Sequence, residues 1–348
     1  MAIVTRSFVF SVLTVVSLSA CQKSANDLSH KSISSSVEPT NCRTVEHNQG
    51  ATEICAQPQR IAVLSPFALE PLLALGIQPV AFADHAQGPQ GDYDAPREQI
   101  PYLGDYVTSP LANLGLAYQP SIEALVELKP DLILGVSFNN ADQYETLSKI
   151  APALLLEWDA ADTNLRTVAE AVGQPEKAES LIKETEEKIE SAKNELSSFV
   201  GENTNVLLLS SSKLDQINMG TSAHGLCSRL LTELGFNLVA IEGIQAGSPG
   251  SPAVVSLEAL AQVKDAGLVI LLGTAPDYQT SASDSAESFK EQQLSSLRQA
   301  WRDNAIAQSL APSKTGQVYF IPAYLCLGLP GPIGTALYLE ELKQTLLF

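Results

Sequence analysis

Histidine is scarce in this chain of 348 residues: there are four, His30, His47, His85 and His224, and no two lie close in sequence. A metal cage built from histidines is therefore excluded, since its ligands recur at short spacings. Positive charge is scarce too. Against 39 Asp and Glu stand 21 Lys and Arg, a net charge of -18, and the basic residues form no run. Phosphate backbones and anionic lipid surfaces are held by Lys/Arg patches, so nucleic acid and a bare membrane surface are excluded as partners. Catalytic signatures are also missing. The phosphate-cradling Gly-x-x-x-x-Gly-Lys-Ser/Thr and dinucleotide Gly-x-Gly-x-x-Gly patterns do not occur. Gly220-Thr221-Ser222-Ala223-His224-Gly225 sets a serine near a histidine but lacks the glycine two positions after the serine that a nucleophile elbow requires. A secreted α/β hydrolase is thereby the weaker reading, and no catalytic residues are expected.

What is present begins with an address. Arg6 precedes the mostly apolar stretch Phe8 to Leu18, eleven residues, too short to span a bilayer as a helix and of the right length for the hydrophobic region of a secretory signal. Leu18-Ser19-Ala20-Cys21 follows and resembles the lipobox of bacterial lipoproteins, which implies removal of residues 1–20 and lipidation of Cys21. Residues 22–41 hold six serines and almost no large apolar side chains, so they read as a flexible tether. Such a coil spans about 25 Å. The rest of the chain is expected on the periplasmic side of a membrane, attached through lipid alone.

Beyond the tether, Cys42 and Cys55 bracket the short runs Arg43 to His47 and Ala51 to Ile54 around Asn48-Gln49-Gly50, a hairpin turn. In an oxidising compartment these two thiols are expected to pair. Cys227 and Cys326 remain, and sequence leaves open whether they approach closely enough to bridge.

From residue 60 onward, apolar runs with no polar face recur at Ile61–Leu64, Pro79–Ala83, Leu132–Val136 and Ala153–Leu156, then at Val206–Leu209, Leu238–Ile241, Leu268–Leu272 and Val318–Ile321. Such runs suit parallel strands covered on both faces. Helical patterns at Ala68–Leu75, Ser121–Leu128, Ala141–Ile150 and Leu226–Leu234 lie between them. The expected class is α/β, with two parallel-sheet lobes, 42–172 and 201–348. Between these, 173–200 carries a connecting helix: Pro175 suits a first turn, and Ala178, Leu181, Ile182, Ile189, Ala192, Leu196 and Phe199 recur on one face to about Ser198.

These residues carry a family resemblance. Pro58 to Pro66 with Leu69 to Gly76, Ser121-Ile122-Glu123-Ala124-Leu125 with Leu128 to Ile133, Ser256-Leu257-Glu258-Ala259-Leu260 before Leu268 to Ile270, and Gln317 to Ile321 before Gly331-Pro332 resemble the substrate-binding proteins of iron-siderophore, haem and cobalamin ABC importers. The resemblance covers residues 56–348. It implies a binding module with a cleft between two lobes, little hinge motion, and delivery of ligand to an ABC permease with its ATPase. It also implies that Glu123 and Glu258, alike in place in two like-patterned segments, pair with arginines of the permease.

Ligands of open α/β sheets bind beyond the carboxyl ends of strands. The candidates there are Ser65, Phe138, Asn139, Trp158, Ser211, Thr274 and Tyr324, joined by Tyr106, by Thr221 and Ser222 beside Gly220, and by Arg229 for an anionic ligand. Trp158 and Tyr324 stand out because aromatic rings face the apolar parts of a chelate or macrocycle. A ferric siderophore brings its own oxygen ligands, so the preferred ligand is a ferric chelate bound by a monomer with no cofactor or metal site of its own. Haem, with His224 or Tyr106 as ligand, and cobalamin stay as alternatives. An anionic ferric complex requires Arg97, Arg229 or Arg302 near the cleft.

Overall fold

The computed structural model describes residues 42–85, 89–158, 160–221, 224–241, 244, 253–263, 265–274 and 286–348. The signal segment, the tether, Cys21 and Ser222 lie outside the described residues. The strands, in chain order, begin with β1 (Cys42–His47), β2 (Gly50–Cys55), β3 (Ile61–Val63), β4 (Ala81–Asp84), β5 (Ala112–Leu116), β6 (Gln119–Pro120), β7 (Leu132–Val136) and β8 (Ala153–Leu156). After a long helix come β9 (Asn205–Ser211), β10 (Ile217–Met219), β11 (Asn237–Leu238), β12 (Ala253–Val255), β13 (Leu268–Gly273) and β14 (Val318–Pro322).

β1 and β2 form an antiparallel hairpin that sets Cys42 opposite Cys55, joined by a disulfide with Cα atoms 4.0 Å apart. Gly50 supplies the positive φ (121°) that the turn after Asn48-Gln49 requires. Val45 and Ile54 bury the hairpin's inner face in the first lobe. That lobe's sheet runs β6-β5-β4-β3-β7-β8, parallel except for β6 at its edge. Its strands alternate between two buried faces: Ile61, Val63, Leu132 and Leu134 enter one core, Ala62, Ile133 and Ala153 the other. This period of two is why the runs show no polar face.

The second sheet runs β12-β10-β9-β13-β14 with β11 beside the start of β9; β9, β11, β13 and β14 are parallel, β10 is antiparallel to β9, and β12 is antiparallel to β10. The two halves are linked by the helix Pro175–Glu202, 28 residues and about 42 Å long, which packs against the last helix, Pro332–Leu347. Cys227 and Cys326 are bridged inside this lobe, Cα atoms 4.9 Å apart, joining the helix Gly225–Glu233 to the turn Tyr324–Leu327. No helix among the described residues is long and apolar enough to cross a membrane.

Three expected elements differ. The connecting helix continues four residues past Ser198, until the backbone N–H of Asn203 closes it on Phe199 and Val200. The run Leu238–Ile241 pairs only as Asn237–Leu238, because the same edge of β9 is taken further along by β10, where Met219 faces Leu209. The pattern Ala141–Ile150 breaks into a 3-10 turn, Ala141–Gln143, and one α-turn, Tyr144–Leu147.

Candidate functional site

The carboxyl ends of the parallel strands of both sheets open onto one cleft of about 380 Å³. Each wall residue follows from a strand end. Asp84 ends β4 and His85 follows it; Phe67 lies in the first turn of the helix Pro66–Ala74 after β3; Phe138 sits in the helical turn Ser137–Asn140 after β7; Trp158 comes just after β8. From the second lobe Thr274 follows β13, and Ala323 and Tyr324 follow β14. Phe289 and Gln293, one turn apart on the helix Ala286–Asp303, complete that wall with Leu327 and Gly328.

The first wall is an aromatic box. Phe67 stacks on Trp158 (centroids 5.7 Å, 21°), Phe138 meets both edge-on (6.2 and 5.8 Å), and His85 lies parallel to Phe138 at 6.2 Å. The facing wall sets Tyr324 against Phe289 at 5.0 Å, and Tyr102 of the first lobe stacks on Tyr324 at 5.9 Å. Such offset and edge-on pairs hold rings in fixed orientations. Tyr102 thereby joins the two lobes beneath the cleft.

Polar groups in the cleft are few and fixed. Ser65 caps the helix Pro66–Ala74 by accepting the Phe67 N–H at 3.2 Å, and its Oγ lies 3.0 Å from His85 Nε2, orienting the imidazole. Burial pushes the His85 pKa down to about 4, so the ring is neutral at ordinary pH. Asp84, buried, accepts the His85 backbone N–H at 2.6 Å. Gln293, only 2% exposed, accepts the Tyr324 N–H through Oε1 at 3.1 Å, while its Nε2 has no hydrogen-bond partner. Trp158 Nε1 likewise has none.

Of the eleven ligand contacts read from sequence, Phe138, Trp158, Thr274 and Tyr324 line this cleft, six lie elsewhere, and Ser222 is outside the described residues. Ser65 stands behind His85. Ser211 Oγ is consumed by the β9–β10 turn, donating to Gln216 O at 2.7 Å and accepting Leu214 N–H at 2.9 Å. Thr221 and Asn139 are outside the lining, and Tyr106 sits on the surface, 43% exposed, with its carbonyl held by Gln78. Arg229 lies on the helix Gly225–Glu233, paired with Glu233 at 3.3 Å, and lines a larger groove of about 1110 Å³ along the connecting helix. That groove carries Glu186, Glu190 and Lys193 of the connecting helix and lies away from the strand ends, so it is a solvated seam. His224 is buried near Ser210, outside the cleft.

Sequence reading passed over Phe67, Asp84, His85, Phe289 and Gln293. Asp84 and His85 had a usable signal, the end of a predicted strand. Phe289 and Gln293 had none, since Glu287, Lys290 and Glu291 make their helix look solvated on every side.

Glu123 and Glu258 are exposed and equivalently placed. Each lies in the first turn of a helix, Ile122–Leu128 or Leu257–Leu260, capped by a serine, Ser121 or Ser256, and entered from an edge strand, β6 or β12. Its own backbone N–H, and then the Ser256 hydroxyl, hold the Glu258 carboxyl below its ordinary pKa. One cluster of metal-ligating residue types occurs among the described residues, Cys42, Glu53 and Cys55, and its two sulfurs are spent in the disulfide.

Comparison with known proteins agrees with this geometry. The chain is 36% identical over 201 residues to the probable siderophore-binding lipoprotein YfiY of Bacillus subtilis, an alignment covering 57% of this chain and 56% of that one. It is 25% identical over 318 residues to the Fe(3+)-citrate-binding protein YfmC of the same organism, covering 89% and 87%. The crystal structure of Staphylococcus aureus SirA complexed with staphyloferrin B superposes with a TM-score of 0.66 at 19% identity, over 87% of this chain and 97% of that one. The sequence profile of the periplasmic binding proteins matches residues 61–325, and the chain belongs to that family.

Proposed function

We propose that this protein is the substrate-binding component of an ABC importer, which captures a ferric siderophore outside the membrane and passes it to the permease. The observation that carries the reading is the aromatic cleft at the carboxyl ends of both sheets, where Phe67, Phe138, Trp158 and Tyr324 converge and no metal-ligand cluster lies among the described residues that line it. A chelate that arrives with its iron already coordinated asks for shape, ring faces and a few hydrogen bonds, and that is what the walls offer. The names of the relatives, for siderophore and ferric citrate binding, support the same substrate class. The Ser65 hydroxyl paired with His85 is fully buried behind the lining and closed to a ligand, and the reading includes no catalysis. Glu123 and Glu258, one on each lobe, are the docking points for permease arginines, and Cys21 is the lipidated anchor of a monomer.

Tryptophan fluorescence tests this directly. Of two tryptophans, Trp158 lines the cleft and Trp301 is buried, its Nε1 bonded to Ser313 Oγ at 3.2 Å. A bound ferric chelate is expected to quench saturably in the purified protein, and Trp158→Phe to remove most of the quench. Saturation by haem or cobalamin and by no ferric chelate would refute the siderophore reading.

A further inference from the structure

Among the described residues no Lys or Arg lines the cleft. The sequence at 86–88, 159, 222–223, 242–243, 245–252 and 275–285 holds no Lys or Arg either. Lys264 precedes β13 in the sequence, whereas Thr274 follows it. The basic residues that an anionic ligand requires are engaged or remote. Arg97 pairs with Asp105 at 2.6 Å on the surface, and Arg229 pairs with Glu233 beside the connecting helix. Lys290, on the same helix as Gln293, is held by Glu341 at 2.8 Å, and Arg302 is exposed nine residues, about 14 Å, beyond Gln293 on that helix. The one histidine among the described lining residues, His85, is half-buried and neutral.

We propose that the cleft selects a ferric chelate of zero or positive net charge, of the trihydroxamate type, and rejects polyanionic carboxylate and catecholate complexes. This rests on the binding-protein reading above and narrows its substrate class. Three hydroxamates each lose one proton and cancel the ferric charge, whereas three catecholates each lose two and leave a trianion. Moving a trianion from water against ring faces, whose quadrupoles are negative, is strongly unfavourable unless cations compensate. Here none do, and the protein's own charge of -18 adds repulsion at long range. A neutral chelate meets no such penalty. Its outer carbonyl oxygens are acceptors suited to the unpaired donors Gln293 Nε2 and Trp158 Nε1, and a pendent ammonium suits the aromatic faces.

The test is a fluorescence titration of the full protein with four probes: a neutral ferric trihydroxamate, its amine-bearing cationic analogue, ferric dicitrate and a trianionic ferric tricatecholate. The two hydroxamates are expected to bind at least about a hundredfold more tightly than the two anions. Anion binding as tight as hydroxamate binding would overturn the charge class and leave the siderophore-binding reading standing. No saturation by any probe would overturn both. A second variant keeps the argument on charge: Leu327→Lys places a cation in the partly exposed wall and is expected to strengthen tricatecholate binding about tenfold while weakening the cationic probe. Unchanged tricatecholate affinity in that variant would show that missing positive charge is not what excludes anions.

Discussion

Glu70 and Ile333, 263 residues apart, are joined by a hydrogen bond of 2.6 Å in which the Glu70 carboxylate accepts the backbone N–H at the start of the last helix. Glu70 belongs to the first lobe, is fully buried, and also accepts the Gly334 N–H at 3.4 Å. It therefore caps the helix Pro332–Leu347 from across the lobes, satisfying orphan N–H groups and facing the positive end of the helix dipole. With Tyr102 against Tyr324 and the connecting helix, this contact ties the two lobes together.

Burial raises the Glu70 pKa from its ordinary 4.5 to about 7, against the opposing pull of the helix N–H groups. The folded chain keeps a proton that the unfolded chain has released, so this contribution is full below pH 4.5, declines as pH rises to about 7, and is flat above. The full shift corresponds to about 3 kcal/mol. Glu70→Gln is expected to remove that slope. Denaturant midpoints of both proteins across this window check it, and parallel pH profiles would refute the assignment.

Gly331, just before the same helix, is required by the same carboxylate. A Cβ added there would stand within 1.9 Å of Glu70 Oε2. Gly331→Ala is expected to destabilise by about 2 kcal/mol through forced displacement of one partner. The double variant Gly331→Ala with Glu70→Ala should recover part of that loss in thermal unfolding, which two independent effects would not do.

The two disulfides close loops of very different length, with sequence separations of 13 and 99. In the chain-entropy account they are worth about 3 and about 4.7 kcal/mol. Replacing Cys227 and Cys326 with Ala is expected to lower the denaturant midpoint more than replacing Cys42 and Cys55, and the reverse order would contradict that account.

Replacing Glu123 and Glu258 together with Ala should leave chelate affinity and unfolding midpoint unchanged, because both side chains are exposed and outside the cleft. Uptake of the ferric chelate by cells is expected to fall. Normal uptake by the double variant would refute docking at these glutamates.

How far the sequence reached varies with the physics of each feature. Leu132–Val136 and Ala153–Leu156 were legible to the residue, since central parallel strands are buried on both faces and print as unbroken apolar runs. The strands Ala112–Leu116, Gln119–Pro120 and Ala253–Val255 escaped, because short strands at or near a sheet edge keep polar or exposed positions. Trp158 and Tyr324 were reachable as strand-end aromatics, whereas Arg229 looked equally eligible until its helix turned it toward Glu233.

The sequence by itself determined the α/β layering, the connecting helix, the hairpin with its cysteines and the paired glutamates, because each is written in local periodicity or in a repeated segment. Only the tertiary structure decided that Phe67 and Gln293, 226 positions apart, wall one cleft, that Glu70 caps a helix of the other lobe, and that the basic residues stay out of the site. Those are contacts between distant parts of the chain. They depend on how whole elements pack, and no local pattern of residues records that.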